Sequence, residues 1–205
     1  MQSAPRIDAR DRALIQIVDA AMAEAARRSG PWLVCRVGCT ECCMGPFPIS
    51  QLDAHRLRRG LAELDVRDPA RAGQVRERAR QYVARTSRDL PGDPFTGILA
   101  AGEEPEARFA TFAEDEPCPA LDPETGACDL YAARPLTCRT FGPPVRAGAA
   151  ALGVCELCFH GATDTEIAAC EVESDPDRLE SALSSELEQT TGVHGQTIVA
   201  FCLAS

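Results

Sequence analysis

Lysine is absent from this 205-residue chain: all 21 basic residues are arginine, so any mechanism that needs a lysine amine is excluded. Aromatic residues are scarce at 5%, and no apolar run approaches the roughly 20 residues that a membrane span requires. The opening Met1-Gln2-Ser3-Ala4-Pro5-Arg6 lacks the apolar core of a signal peptide, so a cytoplasmic protein is expected. The net charge of −10 argues against general attraction to nucleic acid or anionic lipid, and neither is expected as a partner. No Ser-His-Asp order, phosphate-binding glycine loop or paired-carboxylate motif stands out. His55 and His194 read as surface residues, and His160, two residues after Cys158, is a minor candidate ligand.

What remains is a chain with 45% hydrophobic residues, long enough to bury a core as a single domain over 1–205. Its charge is uneven. Residues 1–100 hold 16 Arg against 12 acids, and residues 101–205 hold 5 against 19. The simplest reading is that basic and acidic faces dock onto each other. Leu14, Ile17, Val18, Ala21, Met22 and Ala25 recur at helical spacing between Asp8 and Ser29, and Gly30-Pro31 stops the pattern. Ser50 and Asp53 resemble a capping box for a short helix through Leu52, Leu57 and Leu61. Asp68-Pro69 opens a longer helix with Val75, Ala79, Tyr82 and Val83 on one face.

From Pro91 to about Pro144 the helical pattern gives way to a Pro-, Gly- and acid-rich stretch that needs something to hold it. Phe109, Phe112 and the turn Asp122-Pro123-Glu124-Thr125-Gly126 allow a short extended piece or hairpin there. Asp175-Pro176 begins another helix with Leu179, Leu183 and Leu187, and residues 195–203 fit a helix or a buried strand. The fold class expected is mainly α: a helical shell around irregular cysteine-bearing loops that converge on a metal centre. The cysteine core spans about 31–160, with helical extensions at both ends.

Eleven cysteines dominate the chemistry, and without an export signal such a cluster points to metal or redox chemistry. Cys35, Cys39, Cys42 and Cys43 lie within nine residues, Cys118, Cys128 and Cys138 follow at equal intervals, and Cys155 and Cys158 form a C-x2-C pair. Adjacent side chains tend to diverge, so one of Cys42 and Cys43 is expected to face a different ligand set or to remain a reactive thiol. Cys170 and Cys202, among apolar residues, read as buried thiols. Thiolates bind zinc in a tetrahedral set of four, or an iron–sulfur cluster, and nine candidates exceed one centre. Two metal sites, or one cluster with spare redox thiols, remain open. The sulfurs of Cys39, Cys42, Cys118, Cys128 and Cys138 are expected to share one region.

The Cys35–Cys43 loop, Cys118-Pro119-Ala120-Leu121, Cys128-Asp129-Leu130-Tyr131 and Arg134-Pro135-Leu136-Thr137-Cys138-Arg139-Thr140-Phe141 together resemble the YkgJ-like, CxxCxxCC-type family of zinc- or iron-chelating domains. Three residues stand between the first two cysteines here instead of two. The resemblance implies a metal or iron–sulfur centre built from these cysteines. A related motif occurs in flagellin lysine N-methylases, but no glycine-rich strand-to-helix turn for S-adenosylmethionine is present here.

Arg134 and Arg139 flank Cys138 and can donate to sulfur or offset the charge of a thiolate centre, or pair with nearby carboxylates. Tyr131 reads as a packing residue. The expected function is a metal-binding protein with an iron–sulfur cluster, zinc being the alternative cofactor. A redox or electron-transfer role, a zinc or copper carrier, a purely structural zinc protein, and an accessory to an iron–sulfur-dependent modification enzyme are the functional possibilities. The expected partners are a metal ion or cluster and an unidentified client or redox protein.

Overall fold

The computed structural model describes residues 3–36, 38–147, 150–152 and 154–204. It is mainly α, and its contacts divide the chain into two units, Met1–Val37 with Leu136–Thr191, and Gly38–Pro135 with Gly192–Ser205.

The first unit is organised on α1 (Ser3–Ser29). Ile7, Leu14, Val18 and Ala25 fall on one helical stripe and are almost completely buried. Ile17, expected on that stripe, is instead exposed. The Ser29 hydroxyl donates to the Ala25 carbonyl at 2.7 Å, and Gly30 takes a φ of +49° that ends the helix, as the Ser-Gly-Pro signal implies. Against α1 pack α5 (Leu136–Thr140), α6 (Asp164–Cys170) and α7 (Leu179–Thr191).

α7 begins three residues after Pro176, because the Asp175 carboxylate accepts from the backbone N–H groups of Leu179 and Glu180, both at 2.9 Å. A small sheet of order β2–β1–β3 completes the unit. Within it, β1 (Val145–Ala147) is antiparallel to β2 (Ala150–Leu152) and parallel to β3 (Val172–Glu173). Strands of two or three residues carry no readable alternation, which is why no strand was expected over these residues.

The second unit is built from α2 (Gln51–Arg67), α3 (Pro69–Thr86) and α8 (Val199–Ala204). Ser50 caps α2 by accepting from the Asp53 N–H at 3.2 Å, while the Asp53 carboxylate forms a buried ion pair with Arg56. Asp68 caps α3 by accepting from the Arg71 N–H at 3.0 Å, with Pro69 in the first turn. Ala72, Val75, Ala79, Tyr82 and Thr86 are the buried positions of α3, spaced alternately three and four residues apart.

The chain enters α8 through a bridge between Ile49 and Thr197, so the tail is first extended and then helical. Within the segment expected to be irregular, α4 (Glu103–Phe109) forms with three acids in its first turn, where they favour the helix dipole. Phe109 and Phe112 therefore do not extend; their rings meet at a tilt, centroids 5.8 Å apart, at the end of α4.

Gly60 lies inside α2, where an added Cβ would stand 2.2 Å from the Ala133 Cβ, whereas a Cβ at Gly73 in α3 meets nothing within 4 Å. Alanine normally favours a helix interior over glycine by about 1 kcal/mol. We expect Gly73→Ala to be neutral or stabilising and Gly60→Ala to destabilise by about 1–3 kcal/mol through overpacking, measured by thermal denaturation.

Candidate metal centre

Five of the candidate thiols, Cys39, Cys42, Cys43, Cys118 and Cys128, lie in the second unit, and Cys35, Cys138, Cys155 and Cys158 lie in the first. Of the five expected from the sequence to share one region, Cys138 belongs to the first unit, where it sits half-buried on α5. Among the described residues, no three His, Cys, Asp or Glu side chains already stand as a metal-ligand group.

In the second unit the cysteine loop turns at Gly38 (φ +88°) and tightens into a 3-10 turn at Glu41–Cys43, closed by the Cys43 N–H on the Thr40 carbonyl at 2.8 Å. In that turn Cys43 stands close enough to Cys42 to raise its pKa. The strand-like pairing that follows joins Met44 to Pro117, with the Cys118 N–H on the Cys43 carbonyl at 2.7 Å and the Gly45 N–H on the Glu116 carbonyl at 3.0 Å.

Residues 118–128 then form the hairpin anticipated at Asp122–Gly126. Leu121 bridges Cys128, and the Asp122 carboxylate accepts from the Glu124 N–H at 3.0 Å and the Thr125 hydroxyl at 2.7 Å. Gly126, with φ +68°, sets the hairpin tip; a Cβ there would lie 3.7 Å from the Thr40 Cγ2.

Three arginines of α3 grip this segment. Arg71 and Arg78 both pair with Asp129, whose side chain is 1% exposed, the Arg78 contact being 2.5 Å. Arg78 Nε also donates to the Pro119 carbonyl at 2.9 Å, and Arg85 forms a two-pronged pair with Glu116 at 2.6 and 3.1 Å. The arginines recur every seven residues, which keeps them on one face of the helix over about 21 Å. The docking of basic on acidic surface expected from the charge asymmetry is thus realised within this unit. The three partners were not identified from the sequence, although the seven-residue spacing was there to be read.

The thiols are held in a setting that favours the neutral form until a cation arrives. Burial pushes Cys118 up to about 12 and also raises Cys128. Cys42 is raised first by its bond to Cys43 and then by burial. Opposing groups are already aimed at the sulfurs. The Ala120 backbone N–H favours ionised Cys118 and that of Leu130 ionised Cys128, the Arg134 charge favours ionised Cys42 and Cys128, and the Leu121 N–H donates to the Cys118 carbonyl at 2.9 Å.

Cys118 also feels the charges of Cys128 and Cys42, and Cys128 that of Cys42, although the three come from separate stretches of chain. Arg134 lies 4.0 Å above the Tyr131 ring, which is itself exposed. A cavity of about 20 Å³ adjoins Cys118, lined by Phe47, Tyr82 and Ile198 among others, so the hairpin has an apolar wall behind it.

In the first unit, Arg139 binds Asp19 on α1 through two contacts of 2.7 and 2.9 Å. Cys155 and Cys158 close a C-x2-C turn, with the Cys158 N–H on the Cys155 carbonyl at 2.8 Å. Cys170 donates to the Arg28 carbonyl at 3.3 Å, and in the second unit Cys202 donates to the Ile198 carbonyl at 3.4 Å. Both are buried thiols, as expected. His160 and His194 are exposed, whereas His55 is partly buried on α2.

The donor set fits a soft or borderline metal: all-sulfur ligands, with N–H groups and a guanidinium ready to stabilise negative charge. A family model, CxxCxxCC, described as "Putative zinc- or iron-chelating domain", matches residues 34–158. Searches of curated proteins and of solved structures return no match.

Removing the α3 grip should free the cysteine hairpin selectively. Arg78→Ala should cost about 1–3 kcal/mol and speed hydrogen exchange over residues 117–129 more than in α2. The same grip is acid-sensitive. Arg85 holds Glu116 below its ordinary 4.5, and bonds from Thr125 and the Glu124 N–H hold Asp122 below 3.8. Both contributions are full above those values and are lost as pH falls through and below them, so protection of this segment relative to the intrinsic exchange rate should fall on acidification from that range downward.

Proposed function

The chain belongs to the CxxCxxCC family, and from that premise we propose that it is a metal-binding protein whose second unit holds an iron–sulfur cluster on thiolates from Cys39, Cys42, Cys43, Cys118 and Cys128. The observation that carries this reading is the arrangement around Cys118 and Cys128. Two cysteines on facing arms of one hairpin receive backbone N–H groups at sulfur, and the hairpin is tied to the Cys42–Cys43 turn through the Cys43 carbonyl. N–H donors at sulfur stabilise the thiolate form that a metal requires. The candidates outnumber the four that one tetrahedral zinc would use, and all are cysteine, which favours a cluster.

Such a group, when bound, supplies one-electron chemistry, and an electron-transfer role follows from that. The protein's own part is to hold the sulfurs, to exclude water with the wall formed by Phe47 and Ile198, and to balance charge. Arg134 serves the last purpose, since it already favours the ionised forms of Cys42 and Cys128. Arg139, bound to Asp19, contributes by fixing α5 and its neighbour Cys138 on α1.

Protein purified without oxygen should be brown, absorb near roughly 400 nm and contain inorganic sulfide in proportion to iron. Cys42→Ser, Cys118→Ser and Cys128→Ser should each bleach it while leaving the helical circular dichroism in place. Stoichiometric zinc with no sulfide in protein isolated the same way would replace the cluster with a zinc centre.

A further inference from the structure

We propose that the Asp93–Gly97 hairpin is a docking element, which holds Phe95 out as a rigid aromatic anchor for a protein partner whose surface offers an apolar pocket rimmed by arginine or lysine. Nothing in this depends on which metal the cysteines bind, and it stands on four observations within the second unit.

The first is that the chain builds the same turn twice. Asp93-Pro94-Phe95-Thr96-Gly97 and Asp122-Pro123-Glu124-Thr125-Gly126 carry Asp, Pro, Thr and Gly at the same places. Their hydrogen bonds match as well. In each, the glycine N–H donates to the aspartate carbonyl, at 2.8 and 2.9 Å, and the aspartate N–H donates to the carbonyl of Ile98 or Ala127, at 2.8 Å in both. The aspartate carboxylate accepts from the N–H of Phe95 or Glu124, at 2.8 and 3.0 Å. The threonine hydroxyl accepts from the N–H of Ile98 or Ala127, at 3.4 and 3.3 Å. Only the middle residue differs, and the turn uses its backbone alone, so turn chemistry accepts glutamate and phenylalanine alike. The aromatic at position 95 is therefore not required by the turn that carries it.

The second is exposure. The Glu124 carboxylate is solvated at its hairpin tip, whereas Phe95 is 93% exposed and keeps its apolar surface in water. Contact with an apolar pocket would relieve that state.

The third is rigidity. The arms of the hairpin bridge at Gly92 and Leu99, the Ala100 N–H donates to the Pro91 carbonyl at 3.0 Å, and the Leu99 N–H donates to the Gln196 carbonyl at 2.8 Å. Gly97 is buried against α8, where a Cβ would stand 2.3 Å from the Phe201 ring. The backbone that presents Phe95 is thus fixed before a partner arrives, which lowers the ordering cost of binding. Aromatic anchors of this kind carry a large share of the affinity of protein interfaces.

The fourth is charge, which selects the partner. From Asp89 to Ala107 the chain has five acids, Asp89, Asp93, Glu103, Glu104 and Glu106, all exposed, and no arginine. Glu104 meets Arg108 only at 3.8 Å on an exposed helix face, too loosely to cancel that field. A basic rim around the receiving pocket complements these acids. Anionic lipid and nucleic acid are repelled by them, and a second copy docking through the same hairpin would set the acids against themselves.

The test places the photo-crosslinker p-benzoylphenylalanine at position 95 of the full chain, expressed in cells of the protein's own source, with position 124 as the matched control. One protein should crosslink at 95 and not at 124, and the crosslinked peptide should carry arginine or lysine beside its apolar residues. With that protein purified, Phe95→Glu, which installs the residue of the matching turn, should melt as the wild type does and weaken binding by about 30-fold or more. Glu103→Arg/Glu104→Arg should slow association by about 10-fold and flatten its salt dependence.

Equal crosslinking at 95 and 124, or none at 95, would overturn the proposal. So would a crosslink to lipid, nucleic acid or a second copy of this chain, and so would a partner that binds Phe95→Glu as tightly as the wild type. A Phe95→Glu protein that melts well below the wild type would show that the ring serves the fold instead. Metal content read on the same preparations should not change with Phe95→Glu, so the docking element and the metal centre stand or fall separately.

Discussion

A carboxylate nearly stripped of water needs a cation beside it, and Asp129 has two. Its side chain is 1% exposed, and Arg71 and Arg78 reach it from successive turns of α3 along one face. Taking such a charge out of water is costly, and a pair of this kind often contributes little net stability. What it secures is position. Asp129 follows Cys128 directly, Arg78 also holds the carbonyl of Pro119 next to Cys118, and Arg85 holds Glu116 two residues before Cys118. The two cysteines of the hairpin are thus registered against a rigid 18-residue helix. Without that registration, a Pro- and Gly-rich segment has too few apolar contacts to choose one conformation.

The helix that supplies the grip is itself placed by its opposite, apolar face. Ala72, Val75 and Ala79 are completely buried, and α2 and α8 pack on the same helix. Small residues at these positions let the helices approach closely, most visibly at Gly60, where even a methyl group has no room beside Ala133. The core and the cysteine hairpin therefore share one element, and the arginine face carries helix position through to sulfur position.

The chemistry of the thiols follows from the same burial. Moving a thiol out of water raises its pKa, as at Cys118, so the apo site keeps its sulfurs protonated at neutral pH. Backbone N–H groups and Arg134 then lower the cost of ionisation without removing it. A soft or borderline cation or a cluster would complete what those dipoles begin.

Cap and stripe signals made α1, α2, α3 and α7 legible from residue order alone, since Ser50, Asp68 and the Ser29-Gly30-Pro31 stop act within a few residues of themselves. The turn at Asp122–Gly126 and the buried thiols Cys170 and Cys202 were readable for the same local reason, and the cysteine spacing with its neighbours was enough to identify the family. Short elements such as β1, β2, β3 and α4 escaped, because two to seven residues are too few for a period to show and depend on partners to form.

Which unit each cysteine belongs to was decided only by tertiary structure. Cys35 and Cys39 are four residues apart yet fall in different units, while Cys118 and Cys128 are brought to facing arms of one hairpin. Sequence sets the ligand chemistry, because a thiol is a thiol wherever it lies. Position depends on long-range contacts, here the Arg78–Pro119 and Cys118–Cys43 bonds, whose partners carry no mark of each other in the order of residues.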